Sequence, residues 1–174
     1  MIADINDPQE LCQKVIAYLR QTLFFERTSV ILIDRASGVP MVFAHSSDAY
    51  VTGTLHSEVM RINKILRPPA KGIVHGVLET GREHFVQDIA DSPNYLRSAD
   101  NIVSEVCFPI MNRKRCIGVL NVEHSVRDAF SHGDLILLKI IAVGLSSALR
   151  RAHKSGARGL SDSFPSGQDQ KITA

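Results

Sequence analysis

The chain has 174 residues, enough for one ordinary domain and too few for two. Twenty Lys and Arg against eighteen Asp and Glu give a formal net charge of +2, without the basic excess expected of a nucleic-acid-binding domain. Hydrophobic residues make up 44% and charged residues 22%, the balance of a globular chain rather than a disordered one.

In chain order, the first element is a helix. Asp7 is placed as its N-cap, Pro8 in its first turn and Glu10 where a capping box would close. Leu11, Val15, Tyr18 and Leu19 follow at helical spacing. Ser29–Ile33 and Val39–His45 read as two strands of a hairpin, separated by the turn residues of Asp34–Gly38. His56–Leu66 reads as a helix stopped by Pro68 and Pro69, and Ile73–Thr80 as a second, with Gly81 as a left-handed cap. Glu83–Gln87 is a short strand, and Asp88–Asn101 is polar and rich in turn residues. Val106–Met111 and Cys116–Glu123 are strands joined by the polar turn 112–115, which favours an antiparallel sheet. A long helix starts near Ser131, with Asp134 three residues on, and runs to basic Arg150, Arg151, His153 and Lys154. Residues 1–154 are thus expected to form one α+β domain, and 155–174, poor in apolar residues, a disordered tail.

The location is expected to be cytoplasmic. The N-terminal segment is acidic and lacks the apolar core of a signal peptide. Leu135–Leu149 is interrupted by Lys139 and falls short of the roughly 20 residues of a membrane span. Cys12, Cys107 and Cys116 contain no Cys-x-x-Cys pair, so neither a disulfide framework nor a zinc site is expected. His45, His75, His84 and His124 likewise show no metal-ligand spacing, and no cofactor is expected.

Short motifs then occur in a particular order: Glu79-Thr80-Gly81, Asp88, Asp91-Ser92-Pro93-Asn94-Tyr95, Ser104-Glu105, Gly118-Val119-Leu120, and Phe130 ahead of an acidic helix start. Over roughly residues 8–152 this order resembles the GAF domain family, small-molecule sensory modules of signalling proteins. The resemblance implies a PAS-related α+β fold with a central antiparallel sheet of about six strands. The terminal helices would pack on one face, and a ligand pocket would lie under helices and loops on the other. It further implies a homodimer formed through the terminal helices, signalling in trans to a downstream protein.

The resemblance makes Asp88, Asp91, Tyr95, Ser104, Glu105, Cys107, Asn121 and Glu123 candidates for the pocket and its roof. Each has a plainer alternative. Asp88 can cap the turn that follows it. Tyr95 can stack on a planar ligand or plug the roof. Glu105 can bind ligand or fix a neighbouring loop. Cys107 can react or serve as a small buried hydrophobe. Bilin attachment would require a Cys-His dipeptide or an Asp-x-Cys-Phe motif in another loop, and the chain has neither. The resemblance also extends to one enzymatic branch, the free methionine-R-sulfoxide reductases. Those enzymes carry the catalytic cysteine seven residues before the glutamate that matches Glu105, where this chain has Ser98. Glu105 and Glu123 match the acidic positions, but a serine oxygen cannot replace the thiolate in a redox cycle. The expectation is therefore a non-catalytic receptor. A third reading is a ligand-free interaction scaffold, prompted by Ile136, Leu137, Ile140 and Val143, which make the first half of the terminal helix apolar nearly all round. Either a second copy of the chain or the N-terminal helix could cover that surplus.

Overall fold

The computed structural model describes residues 7–48, 54–93 and 95–154. The expected tail over 155–174 lies outside the described residues, as does Asn94.

Helix α1 spans Pro8–Leu23. The Asp7 carboxylate accepts from Gln9 N at 2.8 Å, while Glu10 pairs with Lys14 at 2.7 Å rather than closing a capping box. Strands β1 (Arg27–Ile33) and β2 (Pro40–Ser46) form the expected hairpin. Helices α2 (Leu55–Ile65) and α3 (Ile73–Thr80) follow. Gly81 caps α3 at φ 65°, a left-handed position that glycine adopts without steric penalty. Strand β3 (His84–Val86) precedes a 3-10 turn at Ile89–Asp91. Strands β4 (Ser104–Asn112) and β5 (Arg115–His124) are paired along their length. Helix α4 spans His132–Lys154. Its start is a reciprocal box: Ser131 N donates to Asp134 at 2.9 Å, and Asp134 N donates to Ser131 Oγ at 3.2 Å.

The sheet is antiparallel in the order β2-β1-β5-β4-β3. It holds five strands among the described residues, not the six of the expected pattern. Its two faces carry separate cores. On one, Ile16 and Leu19 of α1 and Leu138 and Leu145 of α4 pack on Phe108, Leu120 and Val122. On the other, Ile62, Ile73, Val74 and Val77 of α2 and α3 pack on Ile31, Val119 and Cys107. Burying each large side chain contributes about 1.5–3 kcal/mol. A bulge in β2 leaves Phe43 as the extra residue between Val42, opposite Ile31, and Ala44, opposite Val30. Phe43 thereby joins the helix-side core while Val42 and His45 stay on the roof side. Gly118 of β5 lies against β1, where an added Cβ would sit 2.4 Å from the Ile31 carbonyl oxygen.

Helix α4 corrects one expectation. His132–Arg151, with mean hydropathy 1.5, is long and apolar enough to cross a membrane by length and composition. Leu135–Leu149 alone understated its extent. Here one face, Leu138, Ala142, Leu145 and Leu149, is buried on the sheet. At 100° per residue, Ile136, Ile140 and Val143 point the opposite way. They are 49%, 62% and 61% exposed, so α1 does not cover them.

Candidate functional site

Strand register concentrates the polar groups at one end of the roof-side face. Arg27 lies opposite Glu123 and Ser29 opposite Asn121. Glu105 lies opposite Glu123 and Cys107 opposite Asn121. Alternation along each strand then points these side chains to a common face. Toward Val119 the same face is apolar and carries α2 and α3.

The centre of the cluster is Arg27, which is 92% buried by its residual exposure of 8%. Its Nε donates to Glu123 Oε2 at 3.0 Å, and its Nη1 contacts Glu58 of α2. The other oxygen of Glu58 receives the Ser47 hydroxyl and lies 3.3 Å from His45 Nε2. The opposite ring nitrogen of His45 is 2.8 Å from Ser29 Oγ. Ser29, His45 and Glu58 therefore have the connectivity of a nucleophile relay. The electrostatics are those of a structural link instead. Burial, with the Arg27 charge second, holds the His45 pKa down at about 3, so the imidazolium that a general base must form is disfavoured.

Glu105 has the opposite bias. Burial and then the nearby Glu123 push its carboxyl well above the usual carboxylate range, against a lowering contribution from the Asn121 hydrogen bond. This favours the neutral acid, which can donate a proton or a hydrogen bond. The Ser98 hydroxyl donates to Glu123 Oε1. Beside these groups is a narrow cavity of about 30 Å³, lined among others by Ser29, Ser98, Glu105, Asn121 and Glu123 below and Ile62 and Ile73 above. That is room for a water molecule or two. Four buried polar atoms in the cluster have no aligned hydrogen-bond partner among the described residues: Arg27 Nη2, His45 Nε2, Asn121 Oδ1 and the Tyr95 hydroxyl. Tyr95 lies near Ser98, and burial followed by Glu123 pushes its pKa up to about 12.

The candidate residues thus separate. Glu105, Asn121 and Glu123 meet at the cavity, joined by Ser98, and the Tyr95 hydroxyl is buried close to them. Asp88 instead caps the 3-10 turn through Ala90 N at 2.9 Å and pairs with Arg127. Asp91 is exposed on an outer groove that also includes Asp88. Ser104 Oγ donates to the Val126 carbonyl at 2.7 Å, fixing the loop after β5. Cys107 is fully buried in the roof-side core. Burial and then Glu105 raise its thiol pKa, which opposes thiolate formation. Among the described residues no group of three or more His, Cys, Asp or Glu could hold a metal ion. Sequence reasoning missed Arg27, Ser29, Ser47 and Glu58, and read His45 only for metal spacing. The available signal was charge or polarity beside β-branched runs and on a helix with an apolar stripe.

A family model, the GAF domain, matches residues 7–149. No curated protein matches. Among solved structures, the GAF domain of a phosphoenolpyruvate-protein phosphotransferase from Coxiella burnetii is 16% identical, with a TM-score of 0.75 and coverage of 90% of each chain. The free methionine-R-sulfoxide reductase from Neisseria meningitidis, in complex with its substrate, is 18% identical, with a TM-score of 0.71, covering 88% of this chain and 84% of that one. A domain of a sensor histidine kinase protein from Sinorhizobium meliloti is 18% identical, with a TM-score of 0.62 and coverage of 86% and 95%. At these identities the likeness establishes the fold, while the family match spans nearly the whole described chain: the protein belongs to the GAF domain family.

Proposed function

We propose that this GAF domain is a non-catalytic receptor for a small polar molecule, bound between the sheet and the α2–α3 roof. The observation that carries the reading is the polar end of the cavity. A neutral-leaning Glu105 supplies a donor, Asn121 Oδ1 an unpaired buried acceptor, and Ser98 Oγ, whose proton goes to Glu123, a further acceptor. An unpaired buried polar atom costs about 1–3 kcal/mol, so a ligand offering a matching N–H and an acceptor oxygen gains by meeting them. The about 30 Å³ of room requires the roof to move off the sheet as ligand enters. Binding energy is thereby linked to the packing of the roof helices.

Sulfoxide reduction is the reading this one displaces. It needs a thiolate attacking sulfur beside an acid. Ser98 occupies the position that touches Glu123, Cys107 is fully buried, and Cys12 lies in the opposite core. Incubation with free methionine-R-sulfoxide and a thioredoxin system is expected to oxidise NADPH no faster than a protein-free control. Turnover above that background would overturn the non-catalytic part of the proposal.

Signal output in trans is proposed to run through a homodimer. Ile136, Ile140 and Val143 form an outward apolar row on α4 with Gly144 beside it, a face suited to a second α4. Light scattering is expected to weigh a dimer for the native chain and a monomer for Ile140→Glu, with an unchanged melting profile at low concentration. A native monomer would refute this interface.

A further inference from the structure

The geometry points to a second ligand site, for a phosphomonoester with a small apolar body, at the end of the sheet remote from the Arg27 cluster. There the β1–β2 turn, the β4–β5 turn and the last turns of α4 enclose a hollow of about 320 Å³, within the range of small-molecule pockets. Its floor is apolar, formed by Leu32, Ile33, Ile117 and Leu149. Leu32 and Leu149 belong to the helix-side core, which makes that floor rigid. Arg35, Arg115 and Arg150, each from a different element, also line the hollow, with Arg150 Nη2 donating to Ser147 Oγ at 3.1 Å. Arg113 and Lys114 extend the positive charge along the β4–β5 turn.

The lining holds one carboxylate, Asp34. Its oxygens accept from Ser37 N at 2.9 Å and from the Ser37 hydroxyl, which folds it into its own turn. The near-neutral net charge of the chain conceals this local excess of cations. Guanidinium forks match carboxylate and phosphate oxygens alike. Three of them approaching from separate elements suit the three outer oxygens of a tetrahedral phosphate better than a planar carboxylate, which offers two. The apolar floor then accounts for a body attached to the phosphate. Leu149 and Arg150 belong to α4, so an occupant would touch the helix whose outer face carries the apolar row. This site shares no residue with the cavity under the roof.

Titration of the full chain with phenyl phosphate tests the assignment, read by amide ¹H–¹⁵N shifts and by calorimetry. Saturable shifts are expected in the 34–39 and 112–117 segments, and Arg115→Gln and Arg35→Gln are each expected to weaken binding by about tenfold, as loss of a charged fork does. Both side chains are exposed, and a native spectrum away from these segments checks that each variant keeps the fold. Inorganic phosphate is expected to bind at the same residues but at least about tenfold more weakly, because it cannot use the floor. Equal affinity for inorganic phosphate would reduce the site to an adventitious anion contact and overturn the proposal. So would shifts confined to the roof cavity, or binding unchanged in both variants. Short-chain phosphatidic acid micelles form a further arm: preference for them over phenyl phosphate would assign the phosphate to a lipid headgroup rather than a free metabolite and overturn the small apolar body.

Discussion

Arg27→Met is expected to destabilise the fold by about 3–5 kcal/mol, the range for removing one partner from a buried ion pair. Arg27, Glu58 and Glu123 are 8%, 8% and 4% exposed. Methionine fills the volume of the arginine stem, so the loss is electrostatic rather than a cavity. It leaves two carboxylates from different elements facing one another without their shared cation. Adding Glu58→Gln and Glu123→Gln to Arg27→Met is expected to recover most of that loss, because neutral amides do not require the charge. Urea unfolding of the single and triple variants provides the check. Equal stability of Arg27→Met and the native chain would mean that the cluster contributes nothing to holding α2 on the sheet.

Glu105→Gln is expected to stabilise the protein at neutral pH by about 1–3 kcal/mol, the scale of relieving an ill-placed buried polar group. Linkage sets the sign. Glu105 has a folded-state pKa raised above its ordinary 4.5. The folded state therefore holds a proton that the unfolded state releases, and stability falls as pH rises from about 4.5 through the raised value. Glutamine copies the neutral acid and removes that slope. The stability difference between Glu105→Gln and the native chain should be small below pH 4.5, grow above it, and then level off. His45 has the reverse behaviour, stability present above pH 6.5 and lost as pH falls toward 3. It is common to both chains and cancels in the difference. Melting temperatures across pH 4 to 9 measure this directly; a pH-independent difference would contradict the assignment of a strained, buried Glu105.

Much of the fold was legible in the sequence because its signals are local. Asp7, Gly81 and Ser131 with Asp134 mark helix ends through hydrogen bonds and backbone angles within a few residues. The Asp88 cap was legible for the same reason. Strand extents were understated at polar ends: Arg27 and Ser104 belong to strands because their partners Glu123 and His124 pair with them, which neither segment reveals alone. The site was half legible. Glu105, Asn121 and Glu123 entered through family resemblance, and the cross-strand register confirms that they share a face. Arg27 and Glu58 did not, since each reads alone as a solvated charge. Only the packing of α2 over β1 brings them together, across 31 residues of chain. Asp88 and Asp91 lie on the outer groove rather than the roof cavity, a difference the sequence does not carry because polar turn residues look alike whether they face inward or out.

The space between the sheet and its roof is proposed to receive a small polar molecule. Native mass spectrometry of the chain purified from cells, and again after exposure to a panel of polar metabolites, tests it most directly. A stoichiometric added mass is expected that disappears on denaturation and is abolished by Asn121→Leu, a substitution that removes the unpaired acceptor. Bare protein mass throughout, or an added mass indifferent to Asn121→Leu, would contradict it.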